Sequence, residues 1–280
     1  MKTALFYFPA FIVLMTLVPA AYAEYWHGDF TDDSTLVFSE EAFLFTSPDQ
    51  NSQPLMEVPR TTTVTVTGMG KEAPYDGSPT YWYPVSVSLN GETHTGHMPG
   101  FFLAMTFMDL GEDTLFMYNV TSYDSSSYGF NSAAEVLVSG ETADRVSFSP
   151  VGSGDGSRPY SYSVRALELD NAGLEGVRNL MELSFIYEAC GYMNQDLLLA
   201  WTGNHLMMGP NADSQFEAAA YRYIETFVLP GDEGGEENVI GVEAVTSEWA
   251  ESIQDYEVTN ESFRYYSWNG SQFSEEDAVQ

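Results

Sequence analysis

Residues Tyr81–Ala104 read YWYPVSVSLNGETHTGHMPGFFLA. Val85, Val87 and Leu89 alternate with Ser86 and Ser88, so one face is apolar and the other polar. That is the two-residue period of a strand, not the 3.6-residue period of a helix. Asn90-Gly91 follows at once, two residues that accept the positive φ angles of a type I′ hairpin turn. A strand ending in a tight reversal is the unit from which the rest of the chain can be read.

Working outward, the same signature recurs. Short runs rich in Val, Thr, Tyr and Phe are separated by clusters of Gly, Pro, Asn, Asp and Ser, the pattern of an all-β chain. The predicted strands are Thr62–Thr67, Tyr81–Leu89, Thr114–Ser122, Glu135–Val138, Tyr160–Leu169, Met181–Tyr187, Asp196–Trp201, Tyr221–Leu229, Asn238–Thr246 and Ser262–Trp268. Within VTSEWAESIQDYE, from Val245, the composition also allows a short helix. AWTGNHL at Ala200 and SWNGSQF at Ser267 share a Trp-x-Gly pattern. This reads as two hairpins of one sheet system, with Asn269-Gly270 suited to a type I′ turn. SPVGSGDGSRP, Ser149 to Pro159, reads as a flexible loop.

The first 23 residues are of another kind. Lys2 precedes an apolar run from about Ala4 to Val18, and Ala21-Tyr22-Ala23 gives the small-x-small pattern of a signal-peptidase site. The expectation is a cleaved leader and an exported protein, periplasmic or extracellular, that starts at Glu24 and keeps no stable membrane insertion. Nine lysines and arginines face 41 aspartates and glutamates, a formal net charge of −32. Such a surface repels phosphate backbones, which argues against nucleic-acid partners. Aromatic residues are 15% of the chain and hydrophobic ones 44%, enough to fill cores rather than leave it disordered. One cysteine, Cys190, cannot form an internal disulfide, so those cores must carry the stability.

The segment Phe43–Ala104 resembles the bacterial SH3-like (SH3b) domain. AFLFTSPDQNSQPLMEVPRTTTVTVTG is similar to that family's opening strand, Ser-Pro loop, apolar step and Thr/Val strand. Trp82-Tyr83-Pro84-Val85, Asn90-Gly91, Thr95-Gly96 and Phe102-Leu103 follow its closing order. Three positions depart from it: His97 replaces a large aromatic, Thr46 an arginine, and Pro84 interrupts the strand, which suggests an edge or a bulge. The resemblance implies a small barrel that binds peptides or cell-wall material. The candidate ligand-binding residues are Phe45, Tyr81, Trp82 and Tyr83, with Phe101 and Phe102 nearby. Most of these rings also suit a barrel core, and an exposed Tyr-Trp pair would be the groove element. From about Met105 the chain is similar to a region following SH3-like domains in exported bacterial proteins, on the strength of EACGY, the next Trp-x-Gly hairpin and FVLPGDEGG; that likeness implies no function.

The expected organisation is therefore a leader (1–23), an SH3-like barrel domain (24–104, core 43–104) and a larger antiparallel β domain (105–280). Three kinds of chemistry compete with a pure binding role. Cys190 in EACGY is similar to the nucleophile motif of NlpC-type cell-wall peptidases, but its only downstream histidine, His205, falls in a hairpin turn. His94 and His97 are three apart on a strand and point to opposite faces, which disfavours a shared metal. PGDEGGEEN, Pro230–Asn238, carries four acids without the spacing of a calcium-binding EF-hand loop. The reading is an exported, non-enzymatic binding or accessory protein of the bacterial envelope. It needs no cofactor, and its partner is peptidoglycan or an envelope protein or peptide. The alternatives are a peptidase using Cys190 and a calcium-stabilised β module.

Overall fold

The computed structural model describes residues 30, 34–124, 129–149, 162–187, 191, 193–218 and 220–276. The expected leader, Cys190 and all but the first residue of the Ser149–Pro159 loop lie outside the described residues. What is described is nearly all strand, in three antiparallel sheets, so the all-β class and the antiparallel pairing are as expected.

The first sheet holds β1 (Ser34–Leu36), β2 (Phe43–Phe45), β3 (Pro54–Glu57), β4 (Thr63–Val66), β5 (Lys71–Tyr75), β6 (Ser78–Leu89) and β7 (Glu92–Pro99). Its order is β1-β4-β6-β7-β2-β3, with β5 also on β6. That makes seven strands. Among the described residues no pairing closes β1 onto β3. Asn90 and Gly91 both have positive φ, 52° and 83°, so the hairpin between β6 and β7 is the tight turn the sequence calls for. Gly96 is required by crowding: a Cβ there would lie 2.6 Å from the carbonyl oxygen of Phe45, where β2 crosses β7.

Pro84 sits on neither an edge strand nor a bulge. Along one side of β6, β5 pairs with residues 78–82 and β4 with residues 85–87. Pro84 falls in the gap between them, and its carbonyl accepts the Thr67 N–H at 2.8 Å. The N–H that proline lacks would face Thr67 on that same side, so the β4–β6 ladder ends here on a single bond.

A 3-10 turn, Gly100–Phe102, leads to the second sheet: β8 (Thr106–Gly111), β9 (Thr114–Asp124), β10 (Gly129–Val138) and β11 (Glu141–Phe148). The third sheet is a meander of eight: β12 (Tyr162–Leu169), β13 (Asn179–Tyr187), β14 (Met193–Trp201), β15 (Leu206–Glu217), β16 (Tyr221–Val228), β17 (Val239–Ala250), β18 (Asp255–Trp268) and β19 (Phe273–Glu275). Both Trp-x-Gly segments are hairpins of this sheet, β14–β15 and β18–β19. The second is not type I′, since Asn269 lacks a positive φ. Instead the Asn269 carboxamide oxygen accepts the N–H groups of Ser271 and Gln272 in a longer loop. The helix allowed from Val245 is absent: β17 and β18 run through those residues, joined by a turn at 251–254. Cross-strand pairing along the whole of β17 outweighs a helical propensity that the local pattern supports only weakly.

The second sheet and the first half of the third face each other across one core, built on Phe116, Tyr118, Val136, Leu183, Phe185, Leu199 and Trp201. The edges meet as well: Leu206 N–H donates to Asp144 Oδ2 (2.8 Å) between β15 and β11, and Ala166 N–H to Thr106 Oγ1 (3.3 Å) between β12 and β8. The second half of the third sheet folds over the other face of β13 and β14. There Leu180, Leu198 and Ala200 pack against Ile240 and Trp268. β14 is thus buried on both faces, which explains the unbroken apolar run LLLAW. Deep inside this fold-over, Glu225 accepts from Tyr223 Oη, Arg264 Nη2 (2.7 Å) and the Asp213 N–H (2.8 Å), tying β15, β16 and β18 together. Burial and that bond push the Tyr223 pKa up to about 12.

Leu198→Ala should lower unfolding free energy by about 2–5 kcal/mol, since it opens a void behind the doubly covered strand. Leu55→Ala, in a side chain that is half exposed, should change it by less than about 0.5 kcal/mol. Urea denaturation midpoints of the two variants check the contrast.

Candidate functional site

The four candidate ligand residues belong mostly to the interior. Trp82 and Tyr83 are fully buried and Phe45 is nearly so. Phe45 meets Trp82 edge-on at 5.2 Å, and Tyr83 packs on Phe30 at 5.0 Å. Only Tyr81 is half-buried, with its hydroxyl donating to Glu72 Oε1 at 2.7 Å. Trp82 and Tyr83 point to opposite faces of β6 and both faces are covered at this end, so the pair presents no open groove.

The cleft lies elsewhere, where the first sheet meets the second. It holds about 390 Å3 and is lined by the rings of Phe38, Tyr75, Phe101 and Phe102 and by Arg60, Glu135 and Arg145, with Glu40, Glu41 and Asp76 around it. Its chemistry starts at Glu135. Ala133, Glu135 and Leu137 project from one face of β10, and Ala133 and Leu137 pack with Leu36, Phe38 and Ala104. Glu135 stands among them as a carboxylate only 2% exposed. An isolated buried carboxylate is costly, so it needs partners. Arg145, directly opposite on β11, binds Oε1 at 2.9 Å, and Arg60, from the turn between β3 and β4, closes on Oε2.

Arg60 is further fixed by Thr142 Oγ1, by Glu40 at 3.6 Å and by the Phe38 ring 5.8 Å away. Burial lowers its pKa from the ordinary guanidinium value, Glu40 opposes that, and the Arg145 charge adds to it. Arg145 is different. Its side chain is 46% exposed, so part of its N–H fork remains open to a ligand. Nothing in the composition points to Arg60 or Arg145. Glu135 had a signal, as the one charge within the apolar run of NSAAEVLV.

The remaining candidates are not brought together. His205 is exposed in its hairpin turn, with Nδ1 3.5 Å from Asp144 Oδ2, while Cys190 lies outside the described residues. His94 pairs across from Val87 and His97 from Pro84, on opposite faces of β7. Burial and the Lys71 charge lower the His97 pKa. In the 230–238 loop Asp232 binds the Leu229 N–H at 2.7 Å, and Asn238 Oδ1 binds the Glu175 N–H at 2.8 Å. Glu233, Glu236 and Glu237 are all exposed. Among the described residues no cluster of three or more His, Cys, Asp or Glu side chains is arranged to hold a metal, and no helix is long and apolar enough to cross a membrane. Compared with family models, curated proteins and solved structures, the chain has no match.

Outside the cleft, Glu182 on β13 and Asp196 on β14 share the neighbourhood of Ser184, whose hydroxyl donates to Glu182 at 3.0 Å. Burial, then the Asp196 charge, raises the Glu182 pKa; burial raises that of Asp196 against the pull of Ser184 and Arg165. A carboxyl whose pKa is higher folded than unfolded favours the fold below its unfolded pKa. That contribution is lost as pH rises through the folded value. Glu182→Gln should therefore melt at a higher temperature than the parent at neutral pH. The gap should close below about pH 4, where both chains are neutral at this position. Melting temperatures across that range test it.

Glu135→Ala should be strongly destabilising, because it leaves two guanidinium groups facing each other at the joint. The loss is expected near the lower end of about 3–5 kcal/mol, since Arg145 can turn to water. Denaturant midpoints measure it.

Proposed function

We propose that this is a non-enzymatic binding or accessory protein of the bacterial cell envelope, and that its ligand sits in the cleft between the first and second sheets. The observation that carries the reading is Glu135 held between Arg60 and Arg145 beside a wall of aromatic rings. Planar hydrogen-bonding groups fixed in place next to flat apolar surface are what a polar organic ligand needs, because little side-chain entropy is lost on binding. Arg145 offers donors to a carboxylate or hydroxyl, and Glu40, Glu41 and Asp76 offer acceptors to an amine. A cell-wall fragment, with sugar hydroxyls and a short peptide bearing both amines and carboxylates, matches that combination. The resemblance of residues 43–104 to SH3-like domains and the leader-like first 23 residues support the same assignment, an exported module acting on wall material or an envelope peptide.

The wild-type protein should be retained on insoluble peptidoglycan at high salt, where surface charge is screened. Arg145→Ala should weaken retention about tenfold, the worth of one charged hydrogen bond. Equal retention of the two proteins, or none of either, overturns the reading. Trp82→Ala is the wrong probe, since loss of a fully buried indole acts through stability.

A further inference from the structure

The last long strand of the third sheet leaves most of one side unpaired. β18 pairs with β17 from Asp255 to Ser267, but β19 covers only Tyr266–Trp268, and one further bond runs from Glu276 N–H to Tyr265 O. Along residues 255–264 no described strand takes the outer backbone groups, so an edge ten residues long, about 33 Å, faces solvent. Such an edge is a template for an added strand.

Two features of the side chains say what kind of strand. The first is charge. Asp255, Glu257 and Glu261 lie on this edge, and Glu257 stands directly opposite Glu248 of β17. Like charges directly opposed across a ladder are destabilising, and among the described residues no lysine or arginine pairs with any of these four. The second is exposed apolar area. Phe263 and Tyr265, 45% and 44% exposed, lie side by side on one face with rings 6.3 Å apart and nearly parallel, next to Glu261 in the same row; Val258, 53% exposed, lies on that same face because the bulge shifts the alternation, and Glu257 and Glu248 lie on the other. Acidic residues and the bulge opposite Thr246/Ser247 would be enough to blunt an edge against aggregation. They give no reason to leave two stacked rings and a valine in water.

From this juxtaposition we infer that β18 is a docking edge for an extended basic segment of a partner protein, which adds as a strand beside residues 255–264. Its lysines or arginines meet Glu257 and Glu248 on one face, and the alternate side chains cover Val258, Phe263 and Tyr265 on the other. A second copy of this chain does not fit, since pairing β18 with itself would set side by side two edges that each carry Asp255, Glu257 and Glu261. The site is separate from the cleft, and its failure would leave the reading of the cleft untouched.

The test uses the full chain and an eight-residue peptide alternating lysine and valine. Controls are the same peptide with alternate backbone nitrogens methylated, and one alternating glutamate and valine. The basic peptide should bind, slowing amide hydrogen exchange within residues 255–264, while both controls bind at least about tenfold more weakly. The variant Glu257→Lys should lose binding to a similar extent, with a melting temperature equal to or above that of the parent, since it replaces a like-charge pair with Glu248 by an opposite one. Equal binding of the methylated peptide would mean charge attraction without strand addition and overturn the inference. So would protection outside 255–264, no binding of the basic peptide, or dimerisation of the chain through this edge.

Discussion

The structure turns on one buried carboxylate. Glu135 sits where the first sheet is laid on the second, among alanines and leucines that would close the joint without it. Once a charge is placed there, water cannot solvate it, and its lone pairs have to be met by the protein. Two guanidinium groups do so from opposite sides, one from the turn between β3 and β4 and one from the neighbouring strand of its own sheet. Burial of a paired charge adds little net stability, and its clearer effect is geometric. The position of β10 against the 58–62 turn is set by the Arg60–Glu135 ion pair as well as by contact area. Arg60 and Arg145 must also stay apart by the width of a carboxylate, and beside them lies the cleft, with fixed polar groups on one side and rings on the other.

A second constraint shapes the rest of the chain. β14 is apolar on both faces, so no single packing partner can cover it. The second sheet covers one face. The other is covered by the same sheet returning on itself, so a meander of eight neighbouring strands makes two cores instead of one flat layer. The return needs a place to bend, and β15 provides it. The register of β14 on β15 slips between Leu197 and Leu199, and β16 pairs only with Ser214–Glu217 of β15. Glu225, bound by groups from β15 and β18, then holds the bend closed.

Sequence revealed those elements whose cause is local. Alternation in Tyr81–Leu89 and the Asn90-Gly91 turn gave β6 and its hairpin, and two Trp-x-Gly segments gave two more hairpins. The full length of β15 was not legible, because Gly209-Pro210 in its middle reads as a turn and the slip against β14 that tolerates them depends on a neighbour. The helix allowed from Val245 failed for the opposite reason: weak local helical preference lost to a ladder extending over the whole of β17. Tyr81–Tyr83 misled in another way. Aromatic clustering reports buried area as readily as a binding face, and the covering of β6 comes from residues outside it, Phe30, Val37, Leu44 and Phe102 among them. The cleft was hidden most thoroughly, since Arg60, Glu135 and Arg145 belong to separate elements and only the folded joint brings them together.

Charge ties these levels together. With nine cations among 41 acids, where each arginine goes is itself informative. Arg60 and Arg145 go to Glu135, Arg264 to Glu225, and Arg165 stands near Glu182 and Asp196. Positive charge is thus concentrated where a carboxylate is withdrawn from water and needs a counter-charge for the fold to hold. The outer surface receives what is left, and among the described residues no ion pair reaches the four carboxylates at the far end of β17 and β18, two of them face to face. A surface meant only to stay soluble would spread such groups apart, because repulsion falls with distance and salt screens the rest. Holding Glu248 and Glu257 in register, on an open edge and a few residues from two stacked rings, stabilises nothing within this chain; the arrangement makes physical sense when positive charge arrives from outside it.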